Sequence, residues 1–208
     1  MIGIVDYGMG NLGSVTNACR FLGLAARIVT RPDELGTCHA MILPGVGAFG
    51  DCMAHLAAHG FVAATKEWIE ADKPFLGICV GLQALFEGSD ESPGVAGLGV
   101  LPGRVRKFQA TPDYKVPQIG WNRVRFQRPE CPLLKGVPDQ TYFYFVHSFY
   151  AEATEAHIAA GLSDYAGVAY TAAVWRGNLM AVQFHPEKSQ CWGLQMLNNF
   201  GALAAKGN

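Results

Sequence analysis

The chain is 208 residues long, half of them hydrophobic, with a formal net charge of -1. That length supports one substantial α/β unit with a buried core, and the near-neutral balance offers no basic surface for nucleic acid or membranes. No stretch approaches the ~20 apolar residues of a membrane span, and the opening MIGIVDYG lacks the basic start and long apolar core of a secretory signal, so a soluble, cytoplasmic protein is expected.

In chain order, IGIVD reads as a buried strand followed by a glycine-rich YGMGN. A helix is expected from about Leu12 to Leu22, capped by Asn11 and stopped by Gly23. Its apolar residues Leu12, Val15, Cys19 and Leu22 share one face. ARIV and AMIL are the next strands, PGVGAFGD the loop after them, and helical stretches follow at Phe49 to Ala58 and Phe61 to Ala71. FLGI is another buried strand with Cys79 at its end, and a helical pattern continues at once.

After Gly94 the style changes to short, turn-separated strands: GVLPGRVRKF, WNRVRF, TYFYFVHSFY, HIAAGL, GVAYTAAVW and LMAVQFH. The basic run from Arg104 to Lys107 is interleaved with valine and fits an edge strand. A closing helix from about Gln190 to Ala205 places Trp192, Met196, Phe200 and Leu203 on one stripe. Apolar strands alternating with amphipathic helices imply a parallel sheet covered on both faces. The expectation is an α/β fold: a mostly parallel central sheet flanked by helices, with an antiparallel extension, in a single domain over residues 1–208.

Of the six cysteines, none forms a CxxC pair and no spacing matches a zinc framework, so no metal site is expected. All but Cys79 read as small core residues. Cys79 stands between Gly77 and Gly81 at a strand end, where ligands of doubly wound sheets bind. Close-packed glycines around a core cysteine would account for G-x-C-x-G alone. The same pattern suits a nucleophile elbow, which holds a sulfur above the sheet at a helix N-terminus. The amide of Val80 would then face a developing oxyanion.

Two further strand ends supply complementary parts. In AVQFHPEKS, His185 precedes a proline and is biased toward extended geometry, so Glu187 points to the same side and can orient the imidazole. Thiol, base and orienting carboxylate are what covalent acyl transfer requires. In LPGVGAFGD, two glycines leave amides free to turn toward a ligand, a second half for an oxyanion hole. The glycines at 8, 10 and 13 imitate a dinucleotide fingerprint, but no acidic residue ends the second strand to bind a ribose.

PGVGAFGD, GICVGLQALFE and FHPEKS, in this order along the chain, resemble the class I, triad-type glutamine amidotransferases, whose fold is flavodoxin-like. More narrowly, DYGMGNLGSV, PQIGWN and YFVHSFY resemble the family of glutaminase subunits of imidazole glycerol phosphate synthase, and the match spans essentially the whole chain. The resemblance implies glutamine hydrolysis to glutamate and ammonia, without a cofactor. The ammonia passes to a (βα)8-barrel synthase subunit that makes imidazole glycerol phosphate and aminoimidazole carboxamide ribotide in histidine biosynthesis.

By the same resemblance Cys79 is the nucleophile, His185 the general base and acid, and Glu187 its orienter. Val80 and the Val46–Gly47 region supply the oxyanion amides. Gln83 and Glu91 hold the α-amino and carboxylate end of glutamine, with the backbone of His147, Ser148 and Phe149. Asn11, Trp121, Tyr144 and Lys188 fall on the partner-facing side, whereas Tyr142 and Tyr150 read as packing. The chain departs from the family at Gln118-Ile119, where histidine often precedes GWN, and at Phe149, where tyrosine often stands.

Three other readings remain open on the residues. One is a glutaminase feeding another synthase, such as surface-sugar amination. The second is a stand-alone cysteine hydrolase, although those carry a histidine after the cysteine where Val80 stands here. The third is a non-catalytic binding module, which the Cys79, His185, Glu187 set argues against.

Overall fold

In the computed structural model, which describes residues 1–206, eleven strands join in one sheet. Strands β1 (Ile2–Val5), β2 (Ala26–Val29), β3 (Ala40–Gly45) and β4 (Phe75–Cys79) run parallel in the order β2-β1-β3-β4. Strand β11 (Leu179–Val182) adds in parallel to β4. β1, β3, β4 and β11 are buried at every position, as expected for strands covered on both faces. The covering helices are α1 (Leu12–Phe21), α2 (Phe49–Ala58), α3 (Phe61–Glu70) and α5 (Gln190–Lys206). α1 packs with α5, and α2 with α3. The α1 start is set as anticipated: Asn11 accepts a hydrogen bond from the Ser14 amide at 3.3 Å.

Beyond β11 the sheet turns antiparallel, through β10 (Val168–Arg176), β9 (Ala159–Tyr165), β6 (Gln118–Phe126) and β7 (Thr141–His147). A branch of β8 (Phe149–Ala153) and β5 (Gly103–Lys107) leaves β10. The basic β5 has β8 as its one strand neighbour, the edge place expected, but its outer side is hydrogen-bonded to residues 87–90. Here burial alternates: Phe143 and Phe145 of β7 point inward, with Phe143 stacked on Phe184 at 4.1 Å, while Tyr142 points out. Among the described residues no helix is long and apolar enough to cross a membrane.

The structure corrects several local expectations. The segment after Cys79 holds only one helical turn, α4 (Val80–Gln83). Its next carbonyls are taken by a distant segment: Ala84 accepts from the Leu98 amide, Leu85 from Val100 and Leu101, and Phe86 from Gly99. A longer helix would need those acceptors itself. TYFYFVHSFY is two strands, broken at Ser148, because β7 pairs with β6 while β8 turns to β5 and β10.

Three side chains lie outside the core expected to hold them. Cys191 is exposed, unlike Cys19, Cys38, Cys52 and Cys131. Trp192, in the first turn of α5, lines a surface groove with Trp121 and Tyr142, off the stripe that buries Met196 and Phe200. Tyr142 carries the Arg123 guanidinium 6.0 Å above its ring instead of packing inward. Tyr150 does pack, 4.5 Å from Phe108.

Candidate active site

The parallel register brings three strand tips together. Gly45 of β3 pairs with Cys79 of β4, and Ile78 pairs with Val182 of β11, so the chain leaving β11 passes beside the cysteine. Cys79 has φ 55° and ψ -110°, a strained conformation for a residue with a Cβ. The surrounding glycines are required by space. A Cβ on Gly81 would overlap the Leu43 carbonyl, and one on Gly77 would stand 2.8 Å from the Gly81 oxygen. The turn after Cys79 therefore presses directly on β3.

Cys79 and His185 line a cavity of about 310 Å³ with Val46, Gly47, Val80, Gln83, Glu91, His147, Ser148 and Phe149. Every residue expected to bind substrate or to form an oxyanion hole thus meets at one opening. The sulfur is not held exposed above the sheet, however. Cys79 is only 4 % accessible and is one of the residues that line the cavity.

His185 donates from Nδ1 to Glu187 Oε1 at 2.8 Å, with both side chains almost wholly buried. This fixes the tautomer and leaves Nε2, which has no other partner, on the side of the thiol. Burial alone would lower the imidazole pKa. The adjacent Cys79 sulfur and the Glu187 carboxylate outweigh it and hold His185 well above the ordinary histidine range. The backbone is clamped as well: the His185 amide donates to the Tyr144 carbonyl, and Ser189 Oγ donates to the His185 carbonyl at 2.6 Å while accepting from the Tyr144 amide.

The glycine loop is shorter than the sequence pattern implied. Gly45 belongs to β3, where a Cβ would strike the Gly81 amide and the Tyr7 hydroxyl, so its role is close packing. Gly47 remains in the loop at φ +85°, against Met9. Glu91 and Ser92 anchor the start of the helix that follows this loop: Glu91 Oε2 accepts from the Phe49 amide at 2.7 Å, and Ser92 Oγ from the Gly50 amide at 3.0 Å. Glu91 therefore caps the first turn of α2 with one oxygen, leaving the other for a ligand.

Gln83 donates from Nε2 to both the Phe149 carbonyl and Gln183 Oε1, each at 3.0 Å. Both hydrogens are spent, and what remains for the cavity is an acceptor oxygen. His147 donates from Nδ1 to the same Phe149 carbonyl at 2.7 Å. Its burial pushes the imidazole down to about 4, so the ring is neutral near pH 7. Gln118, at the departure from the family pattern, is buried and accepts from Tyr170 OH, which also lies 3.4 Å from His147 Nε2.

Sequence reasoning passed over Gln183 and Ser189. Gln183 was detectable: it is the one polar side chain in an apolar strand tip, and it shares a side with His185 two residues on. Trp121, Tyr144 and Lys188 form a separate cluster, with Trp121 and Tyr144 edge to face at 6.2 Å and the Lys188 ammonium 5.9 Å above the Tyr144 ring. Asn11 caps α1 through its Oδ1, and α1 packs beside the Pro186–Lys188 turn. Among the described residues no three of His, Cys, Asp and Glu gather as metal ligands.

The chain belongs to the class-I glutamine amidotransferases: the family model of that description matches residues 3–203. A solved structure titled PurLQS from Thermotoga maritima shares the fold, with a TM-score of 0.75 at 19 % identity, covering 99 % of this chain and 97 % of the other. Imidazole glycerol phosphate synthase subunit HisH of Desulfitobacterium hafniense is 51 % identical over 97 % of this chain and 93 % of its own length. The subunit of the same name from Moorella thermoacetica is 50 % identical, covering 97 % and 94 %. By this likeness the chain belongs, within the class, to the family of HisH subunits.

Proposed function

We propose that the chain, acting as one glutamine amidotransferase domain, hydrolyses glutamine to glutamate and ammonia within an imidazole glycerol phosphate synthase. The observation that carries this reading is the convergence of Cys79, His185 and Glu187 on one cavity, with Nδ1 committed to the carboxylate and Nε2 left for the sulfur. The Cys79 proton passes to His185 Nε2, and the thiolate attacks the side-chain carbonyl of glutamine. The amides of Val80 and of the Val46–Gly47 segment receive the oxyanion. His185 then protonates the leaving ammonia, and water, activated by the same imidazole, releases glutamate from the thioester.

The polar end of the cavity suits an amino acid. The Gln83 oxygen accepts from the substrate ammonium, the second Glu91 oxygen balances its charge, and the backbone of His147, Ser148 and Phe149 frames the carboxylate end. The ammonia is delivered to a (βα)8-barrel synthase subunit, met by the face that carries Trp121, Tyr144 and Lys188, with Asn11 at the adjoining helix end. Tyr144 ties that face to the site, since its main chain holds both His185 and Ser189.

Glutamate release measured with and without the synthase subunit tests the proposal. Release should rise sharply on adding the partner. In the complex, Cys79→Ser should abolish glutamine-dependent synthesis by at least roughly 10³-fold while synthesis from ammonium salts persists. Loss of both activities in a folded variant would refute a purely ammonia-supplying role.

A further inference from the structure

The Gln183 side chain is fully buried in a wall of apolar residues, and nothing in the reaction outlined above uses it. Its Nε2 lies 3.7 Å from the Cys79 sulfur, and its Oε1 accepts from Gln83. An amide can present nitrogen or oxygen to a neighbour, and which one decides what it does to a thiol. Here the choice is forced from outside the pair. The Phe149 carbonyl can only accept, so Gln83 must turn its nitrogen toward it. That nitrogen also serves Gln183, which must answer with oxygen. The nitrogen of Gln183 is then left facing the sulfur.

We infer that Gln183 contacts the reacting sulfur as a hydrogen-bond donor, with Gln83 as its positioning residue, and that this directed amide relay favours the Cys79 thiolate. An N–H donor gains little from a neutral thiol and much more from a thiolate, because charge strengthens the bond. The step is a proton transfer only: the sulfur keeps its electron pair, and His185 Nε2 takes the proton. Gln183 loses none of its own.

The other titratable groups around the sulfur do not offer the same service. Tyr7, from the loop after β1, and Cys52 of α2 both feel the Cys79 charge. Burial raises both, Cys52 to about 11, so each stays neutral at pH 7. His147 is neutral, and Glu91, which lines the same cavity, has no N–H to offer the sulfur. Among the described residues His185, backed by Glu187, is the cationic partner of the sulfur, and Gln183 adds a donor.

The inference deepens the glutaminase reading in that Cys79 is its nucleophile, yet its test needs neither glutamine nor a partner. Alkylation of Cys79 by iodoacetamide is followed against pH by mass spectrometry of the peptide that contains it, in a Cys191→Ser background. Gln183→Met keeps the side-chain length and removes the donor. Its alkylation midpoint should move up by about one pH unit, with roughly a tenfold slower reaction on the acidic limb, the size expected for a hydrogen bond to a charged group.

Gln83→Met leaves Gln183 free to turn over and should shift the profile the same way by less. Circular dichroism and a thermal melt accompany both variants. A folded Gln183→Met protein with the parental profile overturns the inference. If that variant does not fold, the Gln83→Met profile decides: an upward shift supports the relay and an unchanged one overturns it. Glutamine turnover of the parent protein, measured in parallel with the synthase subunit present, separates the two ideas, since a shifted profile in a protein that even then hydrolyses no glutamine would sink the glutaminase reading and leave the relay standing.

Discussion

The parallel and antiparallel halves of the sheet build the same cavity by opposite means. In the parallel half, β3, β4 and β11 are buried at every position, and only residues at or just beyond their tips line the cavity. There the backbone itself is the constraint: a strained Cys79, and glycines packed against carbonyls. In the antiparallel half, β6 and β7 alternate between faces. One face carries Phe143, Phe145 and His147 to the interior, and the other shows Tyr142 and Trp121 to the surface. A covered sheet can act only at its ends, whereas a half-covered sheet can act along a face.

The sharpest way to break that contrast is at Gly81. Ala at this position would overlap the Leu43 carbonyl, backbone against backbone, with no flexible side chain to yield. Gly81→Ala should cost roughly 3 kcal/mol of stability, at the upper end of overpacking effects, read as a lower urea midpoint. A midpoint equal to the parent's would mean that the elbow is not tightly pressed on β3. Glu187→Gln tests the other parallel tip. The glutamine side chain can still accept from Nδ1 but no longer stabilises an imidazolium, so kcat should fall by about 10⁴-fold with KM little changed. An unaltered kcat would remove Glu187 from the machinery.

The antiparallel wall is probed through His147. Its folded pKa, about 4, lies below the usual 6.5 because of burial. The unfolded chain therefore takes up this proton first as pH falls. The stability it supports is intact above pH 6.5 and declines between 6.5 and 4. Replacing His147 with Gln should shrink the stability difference between pH 7 and pH 4.5 by roughly 2 to 3 kcal/mol, measured by urea unfolding at both values. An identical difference in the two proteins would show that this ring is not buried neutral.

The smallest effect concerns the outer face. Trp121 is 45 % exposed, so Trp121→Ala should leave the fold and melting temperature nearly unchanged. It should weaken binding of the synthase subunit by about tenfold or more if this is the interface, as measured by calorimetry. Unchanged affinity would move the partner elsewhere.

The two halves also differed in how far their residues could be read in advance. β1 to β4 and helices α1 to α3 follow directly from apolar runs and 3-and-4 spacing, because those patterns lie within each segment even though the strand pairing does not. The single turn of α4 could not be read, since what ends it is a set of acceptor bonds to residues 98–101. The exposure of Trp192 and Tyr142 was hidden for a related reason: an aromatic on a strand or helix reads as core unless its neighbours are known. Glu91 looked like a pure ligand contact, while one of its oxygens caps α2. Cys79, His185 and Glu187 were legible because local geometry limits each: glycine beside the thiol, proline after the histidine, and two-residue spacing to the carboxylate.

Local covalent geometry and apolar patterning, which are properties of the chain, determined the α/β class, the elbow at Cys79 and the pairing of His185 with Glu187. The strand register decided which tips became neighbours, and so whether a thiol, an imidazole and the Gln183 amide would share one cavity. That register is a long-range property. It arises from the packing of segments roughly a hundred residues apart, as the 104 positions between Cys79 and Gln183 attest, and no short window of sequence contains it.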